Sequence, residues 1–263
     1  METQTGTLAF VALFFFLLSM QAIAPLRRWV LPKLQHLVTN IGVAIAAGAA
    51  AQLAVVPIGV AVTRWAARDS FGLFHWVRLP EWLTLAAGFV LLDFTFYYWH
   101  RLNHVVPFLW RFHNVHHIDA DLDVSTSLRF HFGEIALSTA FRVVQLALLG
   151  VPTSLYLVFE VCFGAAAQFH HSNWRLPYGV EAVLNRFIVT PRMHGIHHSI
   201  VQHETNSNYS TIFSWWDRIH GSFHGIERHE GVTIGVPAYR DAGDQTFLAA
   251  LALPLRKQRD YWA

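Results

Sequence analysis

Three stretches of this chain run long enough without charge to cross a lipid bilayer as helices: residues 8–24, 37–63 and, apart from Asp93, 83–99. Inside a bilayer the backbone finds no water to bond with, so a spanning segment must satisfy its own N–H and C=O groups, and runs of this length do so as α-helices. Each run ends on the residues that anchor a span at an interface: Arg27, Arg28 and Trp29; Arg64, Trp65 and Arg68; Tyr97, Tyr98 and Trp99. The first run carries its charges after the apolar core rather than before it, which fits a span better than a cleaved signal peptide. Gly42, Gly48 and several alanines should let a neighbour approach the second helix closely, and Pro57 is expected to kink it.

Residues 135–169 are apolar again, interrupted by Arg142, by the Gly150-Val151-Pro152 turn and by Glu160. This predicts two helices joined at the turn, either crossing fully or dipping in as a hairpin. Beyond His170 hydropathy falls, Pro177, Gly179 and Pro191 punctuate the chain, and Trp174, Trp215 and Trp216 keep it adhesive. Residues 172–263 therefore read as a membrane-associated cap. Charged residues make up only 14% of the chain, against about 25% in ordinary soluble domains. The expected fold class is all-α, an integral membrane helical bundle with a cytoplasmic histidine-rich helical cap. Its divisions are 1–79 (N-terminal transmembrane helices), 80–225 (catalytic region) and 226–263 (cytoplasmic tail). A net charge of +2 offers no argument for nucleic acid.

Sidedness follows from counting. The basic residues of the first two loops do not discriminate, but the N-terminus has no Lys or Arg and is placed outside. Three crossings then bring His100 to the cytoplasmic face, and the 135–169 pair returns the later histidines to the same side.

Those histidines carry the chemistry. His100 and His104 are four apart, one helical turn on one face, and Asp93 and Tyr97 extend that face. His113, His116 and His117 have i, i+3, i+4 spacing, and His194, His197 and His198 repeat it. Eight histidines on convergent faces exceed what one ion can use, so a dinuclear centre is inferred. Cys162 is the lone cysteine, so thiolate clusters are excluded. Imidazole with few carboxylates suits iron, copper or zinc rather than calcium or magnesium. Asp93 is either an orienting partner for a histidine or the mate of an arginine. His36, His75, His220 and His229 are expected to be ordinary surface or satisfied core histidines.

Two other classes compete. A histidine-lined metal transporter would place histidine or acid within its spans, yet 8–24 and 37–63 contain neither. A haem protein with paired axial histidines would account for two or four of them, not for the triplets.

At these residues the sequence resembles the fatty acid hydroxylase/sterol desaturase superfamily of membrane di-iron oxygenases. The resemblance rests on Asp93, Tyr97-Tyr98-Trp99-His100-Arg101 and His104; Leu109-Trp110-Arg111-Phe112-His113 with His116-His117; and Arg129, His131 and Glu134. Further on it rests on Phe169-His170-His171-Ser172-Asn173, Thr190-Pro191-Arg192 with His194 and His197-His198, then Asn208-Tyr209 and Trp216-Asp217-Arg218-Ile219-His220-Gly221. His220 stands where an apolar aromatic is more usual. The resemblance covers roughly residues 80–225. It implies that the eight histidines are ligands and that His171 is a ninth. Some relatives add a histidine four residues earlier, where this chain has Ala167; His131 is the preferred replacement and His170 the alternative. Asp93, Tyr97, Glu134 and Asn208 would support the ligands, with no catalytic residue beyond them. The implied cofactors are two iron ions, with zinc as a substitute in purified or overexpressed protein, and O₂ as cosubstrate. The implied reaction is hydroxylation or desaturation of a sterol, fatty acyl or ether lipid. Electrons would come from a separate donor protein, ferredoxin-like or cytochrome b5-like with its reductase.

Overall fold

The structure, a computed structural model, describes residues 2–226 and 231–263, with the side chains of all of these except 2–7 and 49–54. His229 therefore lies outside the described residues. Among them the chain is helical, with only isolated bridges and no strand. In chain order the helices are α1 (Glu2–Ile23), α2 (Lys33–Asp69), α3 (Leu73–Trp76), α4 (Glu81–Val105), α5 (Pro107–His117), α6 (Phe132–Leu149), α7 (Thr153–His171), α8 (Tyr178–Leu184), α9 (Pro191–His197), α10 (Gln202–Thr205), α11 (Trp215–His220) and α12 (Phe247–Ala252). Among the described residues two helices, α4 and α6, are long and apolar enough to cross a membrane by length and composition.

The expected break at 150–152 is present and has a plain cause. Gly150 closes α6 in the left-handed conformation (φ 64°), and Pro152, which cannot continue a helix, leads into α7. A second proline break matters more for function. Val106 is extended, as residues before proline tend to be, and Pro107 opens α5, so the chain turns sharply between His104 and His113. Helix α2, by contrast, continues through Pro57.

Helix α2 packs along α6, and α1 along α7. At Gly59 of α2 a Cβ would run into the Tyr156 ring, and the Tyr156 hydroxyl donates to the Val55 carbonyl (3.1 Å). Gly42 meets Phe247, but Gly48 meets no neighbour within 4 Å. Arg142 of α6 is buried and pairs with Glu160 of α7 at 3.2 Å, so the two charges that interrupt 135–169 neutralise each other across the turn. Large apolar side chains point outward on the long helices, among them Phe15, Ile45, Val144, Leu148 and Val158.

The segment after α5 holds a buried polar knot. Asp119 accepts from His36 Nε2 (2.8 Å), Asn40 Nδ2 (3.0 Å) and Thr126 Oγ1 (2.8 Å). Arg129, fully buried, donates to the Asn40 side chain and to the Val115 carbonyl, both at 2.9 Å. Asp121 takes the backbone N–H groups of Val30 and Leu31, and Asp123 takes the Gln21 amide. His36 is thus a satisfied core histidine, as expected. Burial alone would lower its pKa, but the charges of Asp119 and Asp123 and the hydrogen bond to Asp119 raise it to about 9. Asp119 is held low: burial opposes this, and His36 and Arg129 outweigh it.

Removing one member of a buried ion pair strands the other, at a cost of about 3–5 kcal/mol. Asp119→Asn is therefore expected to destabilise the fold by roughly that amount in denaturant titrations of the detergent-solubilised protein. A raised folded pKa also sets a sign. The His36 contribution is complete below about 6.5, its unfolded value, and is lost as pH rises through about 9. Stability measured against pH should show this alkaline loss in the wild type and not in His36→Gln.

Candidate metal centre

Four helices aim histidines at a common interior point. His100 and His104 come from the end of α4, His113, His116 and His117 from α5, His171 from the end of α7, and His194 and His197 from α9 with His198 as its cap. All are at least nine-tenths buried. They fall into two sets, His100, His104, His113, His117 and His197 in one, His116, His171, His194 and His198 in the other. Within each set every residue offers a ligand atom, and these atoms lie within 4.8 Å of one another. The two triplets are split rather than shared whole. Helix α5 gives its i, i+4 pair to the first set and His116 to the second, while α9 does the reverse. His117 and His198 stack between the sets, with centroids 4.3 Å apart.

Hydrogen bonds decide which nitrogens face inward. A carbonyl can only accept, so His100 Nδ1 donates to the Tyr209 carbonyl (2.7 Å), His197 Nδ1 to the Ser207 carbonyl (2.6 Å) and His171 Nδ1 to the Ala167 carbonyl (2.7 Å). Each neutral ring then presents a bare Nε2 lone pair. His100 and His197 direct theirs at each other across 3.1 Å, with no proton to share. In the second set His171 Nε2 faces His116 Nε2 at 3.0 Å and His194 Nε2 at 2.9 Å. Two ligand nitrogens about 2.0–2.1 Å from one ion sit about 3 Å apart when the angle between them is near 90°. Further ring nitrogens, on His104, His113, His117 and His198, are buried with no hydrogen-bond partner. Convergent lone pairs and orphaned nitrogens are what a cation would resolve, and an all-imidazole donor set suits a first-row transition metal.

The rings are also kept neutral. Burial, followed by the neighbouring histidines, pushes His116, His117, His194 and His198 well below the ordinary imidazole pKa; for His197 burial and then His100 do the same.

The supporting residues divide differently from expectation. Glu134 accepts from His113 Nδ1 at 2.7 Å and so aims its Nε2 inward. Asp93 orients no histidine and pairs with no arginine. Its buried carboxylate accepts from Ile212 N, Phe213 N and Trp216 Nε1 (2.7 Å), which fastens α11 and the segment before it onto α4. Tyr97 likewise bonds no histidine; its hydroxyl meets Ser222 Oγ (2.8 Å), and Ser222 donates to Asp217 (2.7 Å). Asp217 in turn accepts from the backbone of Tyr209 and Ser210, both at 2.8 Å. Asn208 lies between the two carbonyls that hold His197 and His100. It adopts φ 51°, its amide donates to the Met193 carbonyl and its side-chain oxygen accepts from His224 N. That left-handed turn splays Ser207 and Tyr209 toward two different rings.

His131 does not replace the histidine absent at Ala167. Its Nδ1 accepts from Gly133 N (2.9 Å) as the cap of α6, and its Nε2 donates to the Leu251 carbonyl (3.1 Å), which commits both nitrogens away from the centre. His170 packs its ring on His194, centroids 4.1 Å apart, but is in neither set. Three further features gave no signal in spacing: the Ser207 and Tyr209 carbonyls, Trp110 packed on His104 and His117 (centroids 4.9 and 5.2 Å), and Phe130 stacked on His116 (4.4 Å). The carbonyls could not have been found from side-chain identity at all.

The fatty acid hydroxylase family matches residues 85–222, which include every histidine of both sets. The chain belongs to this family. It is similar to the ornithine lipid hydroxylase OlsE of Rhizobium tropici, 32% identical over 84% of this chain and 64% of the relative. It also resembles the alkylglycerol monooxygenase of Homo sapiens, 32% identical over 64% of this chain and 36% of that protein. The cholesterol 25-hydroxylase of Rattus norvegicus is 26% identical over 66% of this chain and 61% of its own length. The chain thus spans less than two thirds of the length of each of these relatives. No solved structure matches it.

Glu134→Gln should weaken metal binding about 10–100-fold, the usual cost of losing an orienting partner, as read by competition with a chelator. Asn208→Val, a β-branched residue forced to positive φ, should do so as well while leaving every histidine in place. The lowered histidine pKa values predict that metal-free protein loses stability as pH falls below about 6.5, since the unfolded chain then binds protons that the fold excludes. Denaturant midpoints across that range test the sign.

Proposed function

We propose that this chain is a membrane-bound, O₂-dependent hydroxylase of a lipid C–H bond that holds two iron ions, one in each histidine set. The observation that carries this is the convergence of nine buried imidazoles into two sets, in which His100, His197 and His171 each commit their N–H to a backbone carbonyl and turn a bare Nε2 inward. Bound there, iron would supply the activation of O₂ and the oxidation of an unactivated C–H bond. The protein's own part is to keep the rings neutral, to aim Nε2 inward through carbonyl and Glu134 acceptors, and to keep bulk water out by burial. Hydroxylation converts R–H and O₂, with two electrons and two protons, into R–OH and water, so a separate electron-donor protein is part of the proposal. Hydroxylation is favoured over desaturation because the three relatives carry hydroxylase or monooxygenase names. The substrate class is a lipid, whether sterol, fatty acyl or ether lipid, reaching the centre from the bilayer.

Membrane seating is supported by the two candidate spans and by the outward apolar side chains of α1, α2, α6 and α7. In this reading the chain is multi-pass, and the histidines lie on the cytoplasmic face at the ends of α4 and α7. That placement favours a surface catalytic centre over a transport path, which would line the middles of the spans.

Protein purified with its resident metal should contain about two iron ions per chain, and His117→Ala and His194→Ala should each lower that number by striking a different set. Iron unchanged in both variants would sink the assignment. Lipid extracts from cells grown under ¹⁸O₂, with and without the gene, should show one labelled hydroxyl that depends on the gene and on both histidines.

A further inference from the structure

Among the described residues outside the nine-histidine centre, one more group of ligating side chains converges. His203 and Glu204 lie on the short α10, and His224 lies in the segment that follows α11. Their ligand atoms come within 4.8 Å of one another. The two imidazoles are exposed and the carboxylate beneath them is buried, 2% exposed. The rings stand with centroids 5.5 Å apart. Neither histidine is used by the centre described above, and neither belongs to the motifs that carry the family resemblance.

We propose that His203, Glu204 and His224 form a separate, solvent-facing site for a divalent first-row transition metal ion, zinc by preference. Two imidazoles and one carboxylate make a three-donor set of the kind that binds zinc, with water free to fill a remaining position. The nitrogen donors select against calcium and magnesium, which take oxygen. The carboxylate is oriented before any ion arrives: Ser199 Oγ donates to Glu204 Oε2 at 2.5 Å, the outer-shell support that metal-ligating carboxylates normally have. The third donor is placed as well, because His224 N donates to Asn208 Oδ1 at 2.8 Å. Exposed imidazoles can rotate by the small amount needed to close on an ion, whereas the buried carboxylate supplies the fixed point.

The position gives such an ion a structural consequence. Residues 203–204 and 224 flank the loop whose Ser207 and Tyr209 carbonyls hold His197 and His100. The Glu204 carbonyl accepts from Ser207 Oγ at 2.6 Å, and Asn208 bonds His224 directly. An ion joining His203, Glu204 and His224 would close a clamp over that loop from outside. It would stabilise the folded state in proportion to its occupancy, since it binds the fold and not the unfolded chain.

Cobalt(II) is a visible probe for this site. The full-length protein in detergent, carrying its resident metal, is titrated with Co²⁺ at equilibrium. One additional equivalent per chain is expected, with ligand-field absorption and a rise in melting temperature. Both should vanish in the His203→Ala/His224→Ala double variant, and Ser199→Ala should weaken binding about 10-fold or more. Zn²⁺ should displace the cobalt and erase the absorption. The resident metal, measured in the same samples, should stay at its wild-type level in the double variant. No extra cobalt in the wild type overturns the proposal. So does cobalt that persists in the double variant, which would place it among the buried histidines, and so does loss of resident metal from that variant.

Discussion

Imidazole lone pairs that face each other across about 3 Å are repulsive unless something positive lies between them, and this chain builds that confrontation deliberately. Its cause is remote from the rings. Each of His100, His197 and His171 gives its one N–H to a backbone carbonyl behind it, and the opposite nitrogen has no choice of direction. Much of the architecture near the centre serves two of those carbonyls, on Ser207 and Tyr209. Asp217 holds the backbone of Tyr209 and Ser210, Asn208 splays the loop, Ser222 and Tyr97 brace Asp217, and Asp93 ties the following segment to α4.

The centre is also a product of chain breaks. Pro107 and Pro191 each open a short helix at a point where the preceding residue is extended, and those two helices carry the triplets. Had α4 run on without Pro107, the α5 histidines would have continued along the span away from His100 and His104. At Gly195, between His194 and Ile196, the Arg27 guanidinium occupies the place a Cβ would take. The link after α1 can therefore lie directly against α9, fixed further by the exchange of hydrogen bonds between Arg27 and Asn173.

What sequence could tell here divides along physical lines. Helical spacing indicates which histidines share a face, because i, i+3, i+4 is a property of the helix itself. It did not show that each triplet would be divided between two sets, since that depends on how α5 and α9 cross. Glu134 was legible as a polar partner close to the histidine motifs and does touch His113. Asp93 stood on the same helical face as His100, yet its carboxylate is taken by backbone N–H groups more than a hundred residues away. His131 was misjudged for a similar reason: a histidine just before a helix is a capable cap, and capping consumed the nitrogen a metal would need. Nothing local in the acidic segment at 119–123 reveals that His36, Asn40 and Gln21 wait for it on other helices.

The polar knot has a consequence for how this fold can be cut. The family match begins at residue 85, so the helices before it look like an accessory. Yet Gln21, Val30, Leu31, His36 and Asn40 supply partners for three buried carboxylates in the loop immediately after His117. A fragment starting near residue 80 would keep every histidine of the two sets and still bury Asp119, Asp121 and Asp123 beside too few donors. The N-terminal helices are thus not a detachable anchor, and any exchange of them has to carry the matching acids with it.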